Sequence, residues 1–174
     1  MKAQPGSRIY CLDASALIDI QWHYPKAIRK VSRCARDGKI VIPEGVYREL
    51  CKKSDRLQTT VQTWEKKHNA VVHLNTERLH TEFARIEKAY GHQIVVGSKV
   101  KKGFWTSKSG KVSADGQVVT VCKVLHYIAV SNDEHVQDAC HLEDVPCIGW
   151  QEFYRRMGRG FGDQASLFDE ELSV

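Results

Sequence analysis

A short apolar run that stops at an acid constrains this chain more than any other feature. Ile9-Tyr10-Cys11-Leu12 is a continuous hydrophobic stretch, the pattern of a strand buried on both faces in a parallel sheet. It ends at Asp13, after which Ala16-Leu17-Ile18 reads as the start of a helix with Asp13 or Ser15 as its N-cap. An acid so placed lies at the carboxyl end of a strand, the edge where open α/β sheets gather ligands. Taken alone, capping the helix is the simpler role for Asp13. The question is whether other acids arrive at the same edge.

One does so by the same pattern. Tyr127-Ile128-Ala129-Val130 is a second apolar run, and it closes in Ser131-Asn132-Asp133. Ile40-Val41-Ile42 is another β-branched run, ended by Pro43 and followed by a helical stretch with Val46, Tyr47, Leu50 and Cys51 on one face. Glu49 falls on the flank of that face. Pro146-Cys147-Ile148 reads as a last strand, which its proline places toward the sheet edge. Helical spacing is predicted for residues 27–35, for two segments within 59–90, and for 136–142 and 150–157. Val71-Val72-His73-Leu74, between the two helices of 59–90, reads equally as a strand or a tight linker. Val118, Val119, Cys122 and Leu125 form the apolar face of one more helix, and Asp115 lies on that same side. Asp115 would serve there as an inward-facing acid, or only as a first-turn carboxylate favoured by the helix dipole. Strands alternating with helices predict an α/β fold with a largely parallel sheet, in which Asp13 and Asp133 share one edge.

A chain of 174 residues fits one domain, expected over residues 1–158. Residues 159–174 read as an acidic tail carrying Leu167 and Phe168. No apolar run approaches the roughly 18–20 residues that span a bilayer, and Met1 to Gly6 lacks the apolar core of a signal peptide. A cytoplasmic protein is expected. The six cysteines contain no C-x-x-C pair, and the densest group, Cys140-His141 with Cys147, matches no common zinc spacing. Reduced thiols are the expected state.

Charge is unevenly distributed. Residues 1–132 carry a balance of +12 and residues 133–174 a balance of −7, within a net charge of +5. A basic body suits a polyanionic partner such as RNA or DNA, although surface lysines are also simply solvated. Between residues 91 and 114, Lys99, Lys101, Lys102, Lys108 and Lys111 are interleaved with Phe104 and Trp105. The lysines there would neutralise phosphates and the aromatics would stack on bases. Equally, the segment is a solvated connection whose Phe104 and Trp105 tuck into the core.

The ordered set Leu12-Asp13-Ala14-Ser15-Ala16-Leu17-Ile18-Asp19, Pro43 through Glu49-Leu50, Ser113-Ala114-Asp115 and Ser131-Asn132-Asp133 resembles the PIN-domain nucleases of the VapC toxin type. The resemblance runs from residue 9 to about residue 149. It implies a three-layer α/β/α fold and a metal-dependent endoribonuclease, the toxin of a type II toxin–antitoxin pair. By that resemblance Asp13, Glu49, Asp115 and Asp133 would be the catalytic acids and would hold Mg²⁺ or Mn²⁺. Ser15 and Ser131 would orient metal water or carboxylate, and Asp19 would assist from the first helix. An antitoxin and a second copy of the chain are the implied protein partners. A non-catalytic PIN-like module that binds RNA or protein, and a DNA nuclease of the same fold, are the alternatives. Two departures stand out. Gly116-Gln117 follows Asp115 where the family commonly has apolar residues, which would loosen that helix start. Glu134 and Asp138 lie near Asp133, leaving the identity of the fourth acid open.

Overall fold

The structure is a computed structural model that describes residues 8–106 and 114–158. The expected acidic tail, Lys108, Lys111 and Ser113 lie outside the described residues. The chain runs β1 (Tyr10–Leu12), α1 (Ala14–His23), α2 (Ile28–Arg36), β2 (Ile40–Pro43), α3 (Glu44–Leu50), α4 (Arg56–Thr63) and β3 (Val71–Val72). Then follow α5 (Glu77–Tyr90), β4 (Gln93–Val96), β5 (Lys99–Lys102), α6 (Ala114–Leu125), β6 (Ile128–Val130), α7 (Glu134–Leu142), β7 (Cys147–Ile148) and α8 (Trp150–Gly158).

The central sheet has five strands in the order β3–β2–β1–β6–β7, and every pair is parallel. Parallel neighbours need long crossovers, which the helices supply. Helices therefore cover the sheet in a three-layer α/β/α arrangement, as the alternation of elements predicts. Its middle strands are apolar throughout because both faces are covered. All three residues of β1 and all three of β6 are buried. Cys11, Leu12, Ala129 and Val130 belong to one continuous hydrophobic core together with Leu17, Ile42, Val46 and Val118.

From β1 the chain first builds outward through β2 and β3. It then returns to the other side of β1 to add β6 and β7. The order therefore reverses between β1 and β6, and the crevice at the carboxyl ends of those two strands is the topological switch point. There the Asp13 amide donates to the Val130 carbonyl at 3.0 Å. The two acids that close β1 and β6 consequently flank one crevice.

Two segments take more order than the sequence pattern implies. Val71-Val72 is a strand, paired with Ile42 and Pro43 at the sheet margin. Residues 93–102 form an antiparallel hairpin, not a connecting loop, with Val95 opposite Val100. Its turn places Gly97 at φ 59, a left-handed conformation that glycine adopts without a Cβ penalty. All six cysteines are free thiols, in keeping with the scattered spacing. Among the described residues no helix is long and apolar enough to cross a membrane.

Candidate active site

Asp13 is the fixed point of the site. It is the N-cap of α1 and only 3% exposed. Its Oδ1 accepts from the Ala14 amide at 2.6 Å, and its Oδ2 accepts from the Ser15 hydroxyl at 2.6 Å and the Ser131 hydroxyl at 2.8 Å. A carboxylate offers about four lone-pair directions, so among the described residues these three bonds leave one untaken, on Oδ1. Burial raises the Asp13 pKa above its ordinary value, the hydroxyls and the Ala14 amide oppose that shift, and the Asp133 charge adds to it.

Ser131 ties the two strand ends together. It is fully buried, and while donating to Asp13 its oxygen accepts from the Asp133 amide at 3.0 Å. Asp133 caps α7 through Oδ1, which accepts from the amides of His135 and Val136 at 2.8 and 3.3 Å. Among the described residues its Oδ2 takes no hydrogen bond. Glu134 and Asp138, the competing acids, both turn to Lys101, whose Nζ lies 2.5 and 2.6 Å from them. Asp133 is the acid of this group that faces Asp13 and Asp115.

Asp115 sits in the first turn of α6. Burial, then the charges of Asp13, Asp133, Glu49 and Glu87, push its pKa up to about 8. Among the described residues nothing donates a hydrogen bond to it. Glu49 stands at the exposed rim on α3, and its pKa is raised by partial desolvation and then by Asp13. The four acids named from the resemblance thus come from α1, α3, α6 and α7 to one cleft, where the other three act on Asp115. Asp19 lies half-buried further along α1.

Two residues that looked like weaknesses in α6 prove to be fitted to their neighbours. The Gly45 amide, an orphan donor in the first turn of α3, donates to Gln117 Oε1 at 2.7 Å. A Cβ on Gly45 would lie 2.8 Å from that side-chain amide. Gln117 is buried and pins the start of α3 to the start of α6, one turn before Glu49. Gly116 lies against the Glu87 carboxylate of α5, and a Cβ there would collide with Oε1. The pair does not loosen the helix start; it docks two other helices onto it.

Glu87 is the acid that the sequence reading missed. It is 8% exposed, accepts a hydrogen bond from the Trp105 indole, and adds its charge to those acting on Asp115. In sequence it is one of several charges along an amphipathic helix. A buried polar position on the α5 face carrying Phe83 and Ile86 was the available signal.

The proposed nucleic-acid residues divide. Lys99 and Lys102 are exposed on β5, whereas Lys101 is held by Glu134 and Asp138. Phe104 is 2% exposed, inside the core, and packs edge-on against Tyr90. Trp105 is half-buried between Gly91 and His92, its indole nitrogen committed to Glu87. The buried Phe104 ring is not available to stack on a base in this conformation.

The donor set is all carboxylate, the hard oxygen chemistry that suits Mg²⁺ or Mn²⁺. Among the described residues no three acids, histidines or cysteines are drawn together into a ready cage. Among the described residues, the untaken lone pair on Asp13, the Oδ2 of Asp133 and the undonated carboxylate of Asp115 are oxygens that suit such an ion.

A cavity of about 800 Å³ lies elsewhere, lined by Arg78, Lys123, His126, Glu143 and Pro146 among others. It does not include the acids.

Solved structures with this fold are known. The PIN domain of RRP44 from T. brucei matches with a TM-score of 0.50 at 14% identity, over 94% of this chain and 88% of that one. PAE2754 from Pyrobaculum aerophilum matches at 0.49 and 16% identity, over 90% and 99% of the two chains. VapBC-1 from nontypeable Haemophilus influenzae matches at 0.49 and 19% identity, over 82% and 98%. No curated protein matches the sequence. The fold is therefore that of a PIN domain, and over residues 10–161 the chain belongs to the family described as Domain of unknown function (DUF4411).

Proposed function

We propose that this PIN domain is a metal-dependent endoribonuclease that hydrolyses RNA phosphodiesters. One observation carries the reading. Four carboxylates from four separate elements converge at the switch-point crevice, close enough that Asp115 is pushed up to about 8 by burial and by the other acids. Such a cluster is costly without a cation.

Asp13, Glu49, Asp115 and Asp133 would hold Mg²⁺ or Mn²⁺. When bound, the ion supplies a water of lowered pKa and charge stabilisation at the phosphate. The chain's own groups do the rest. Ser15 and Ser131 fix the Asp13 carboxylate so that its remaining lone pair points in one direction. Asp133, oriented by the α7 amides, offers its second oxygen to a water or an ion. Gln117 holds α3 against α6 and so sets the distance between Glu49 and Asp115. Exposed Lys99 and Lys102 add positive charge for the RNA backbone.

A role as the toxin of a toxin–antitoxin pair, with an antitoxin segment covering the acids and a homodimer formed through the helical middle, belongs to the same proposal and rests on the sequence motifs. Growth arrest on expression, relieved by a co-expressed antitoxin, would test it.

The reaction is tested by offering purified protein single-stranded RNA and single-stranded DNA with Mn²⁺, beside Asp13→Asn. RNA cut by the parent and not by the variant supports the reading. Cleavage of DNA alone would replace it with the DNA nuclease, and binding without cleavage of either would favour a non-catalytic module.

A further inference from the structure

The hairpin β4–β5 and the turn after it touch the acid cleft at two points that the four acids do not explain. Lys101 reaches α7 at Glu134 and Asp138, next to Asp133. Trp105 reaches back to α5, where its indole donates to Glu87. Gly91 accommodates that ring, since a Cβ there would lie 2.5 Å from Trp105 Cε2. Glu87 then meets the first turn of α6 at Gly116, the residue after Asp115, with Phe83 packed beside it. Any side chain at 116 would force the Glu87 carboxylate, held by Trp105, to shift.

A buried carboxylate is expensive to keep, and Glu87 adds repulsion to a cleft already crowded with acids. Its location at the positive end of a twelve-residue helix offsets part of that cost. The same location puts it against Gly116, one residue from Asp115.

We propose that Glu87 is a positioning residue of the acid cleft: gripped by Trp105 and seated on Gly116, it fixes the first turn of α6 and thereby the Asp115 carboxylate. The inference rests on the metal-dependent reading of the same site. Outer partners of metal ligands commonly change affinity by about 10–100-fold when removed, and Glu87 acts in that way through the backbone of its neighbour.

The test is Mn²⁺ binding to the full chain, followed by the paramagnetic signal of the free ion, with thermal melting of every variant. Gly116→Ala places a Cβ against Glu87 and should weaken Mn²⁺ binding about tenfold. In a Glu87→Ala background the collision is gone, so adding Gly116→Ala should change the affinity little. Glu87→Gln keeps the shape and an acceptor for Trp105, and should stay within a few-fold of the parent. Trp105→Phe, which removes the donor, should lose affinity as Glu87→Ala does. An equal loss from Gly116→Ala with and without Glu87, or variants that melt low while binding Mn²⁺ as the parent does, would overturn the proposal. A parent that binds no Mn²⁺ would instead overturn the metal reading on which it stands.

Discussion

The Ser131 hydroxyl donates to Asp13 Oδ2 at 2.8 Å, although 118 residues separate the two in sequence. The contact joins the ends of β1 and β6, adjacent parallel strands between which the sheet order reverses. It sets the spacing of Asp13 and Asp133, because the same hydroxyl oxygen accepts from the Asp133 amide.

Ser131→Ala should therefore cost about 1–3 kcal/mol, the range for a buried group left without its partner. Urea denaturation measures it. The Asp13 pKa should rise further, since one of the hydrogen bonds that oppose burial is gone.

Asp115 predicts a pH dependence in the metal-free protein. Its folded pKa, about 8, lies above the ordinary 3.8, so between those values the folded state binds more protons than the unfolded one. Stability then falls as pH rises through that window and levels off above about pH 8. Asp115→Asn should flatten this slope and melt above the parent at pH 9. Melting curves across pH 5–9 in EDTA decide it, and a parent that gains stability toward pH 9 would contradict the account. Mn²⁺ should stabilise the parent more at pH 8.5 than at pH 6, where protons compete for the same carboxylate.

Gln117→Met should destabilise the fold by about 1–3 kcal/mol, because the Gly45 amide loses its acceptor in a position covered by α6. If Gln117 also sets the separation of Glu49 and Asp115, the variant should need more Mn²⁺ for half-maximal cleavage. Cleavage rates titrated with Mn²⁺ provide the check.

Lys99→Ala with Lys102→Ala should weaken RNA binding and reduce its salt dependence by about one to two ions. Lys101→Ala should do so less, because its ammonium is already engaged by Glu134 and Asp138. Binding measured over a range of KCl concentrations separates the two.

The parts of the fold that read clearly in sequence are those where one pattern answers to one cause. A continuous apolar run demands burial on both faces, and Ile9–Leu12 and Tyr127–Val130 each contain a central strand of the sheet. Asp13 and Asp133 could be placed because an acid directly after such a strand has one location. Val71-Val72 is ambiguous in sequence because two residues carry no period. The hairpin at 93–102 is not legible in sequence because its apolar residues are few and its lysines suit a binding segment or a solvated connection equally. Gly97 was the turn signal, and it gained meaning only beside the pairing of Val95 with Val100. The roles of Gly116, Gln117 and Glu87 were illegible for a different reason. Each is defined by a partner on another helix, and only packing brings α3, α5 and α6 together.

Under the proposed function, the acid cleft works through a divalent cation to cut RNA. The most direct measurement is cleavage of a mixed RNA pool by the purified parent with Mg²⁺ or Mn²⁺, with EDTA, and by Asp115→Asn. The account predicts cutting that needs the metal, stops in EDTA and is absent from a folded Asp115→Asn protein. Cutting that survives both EDTA and the substitution would contradict it.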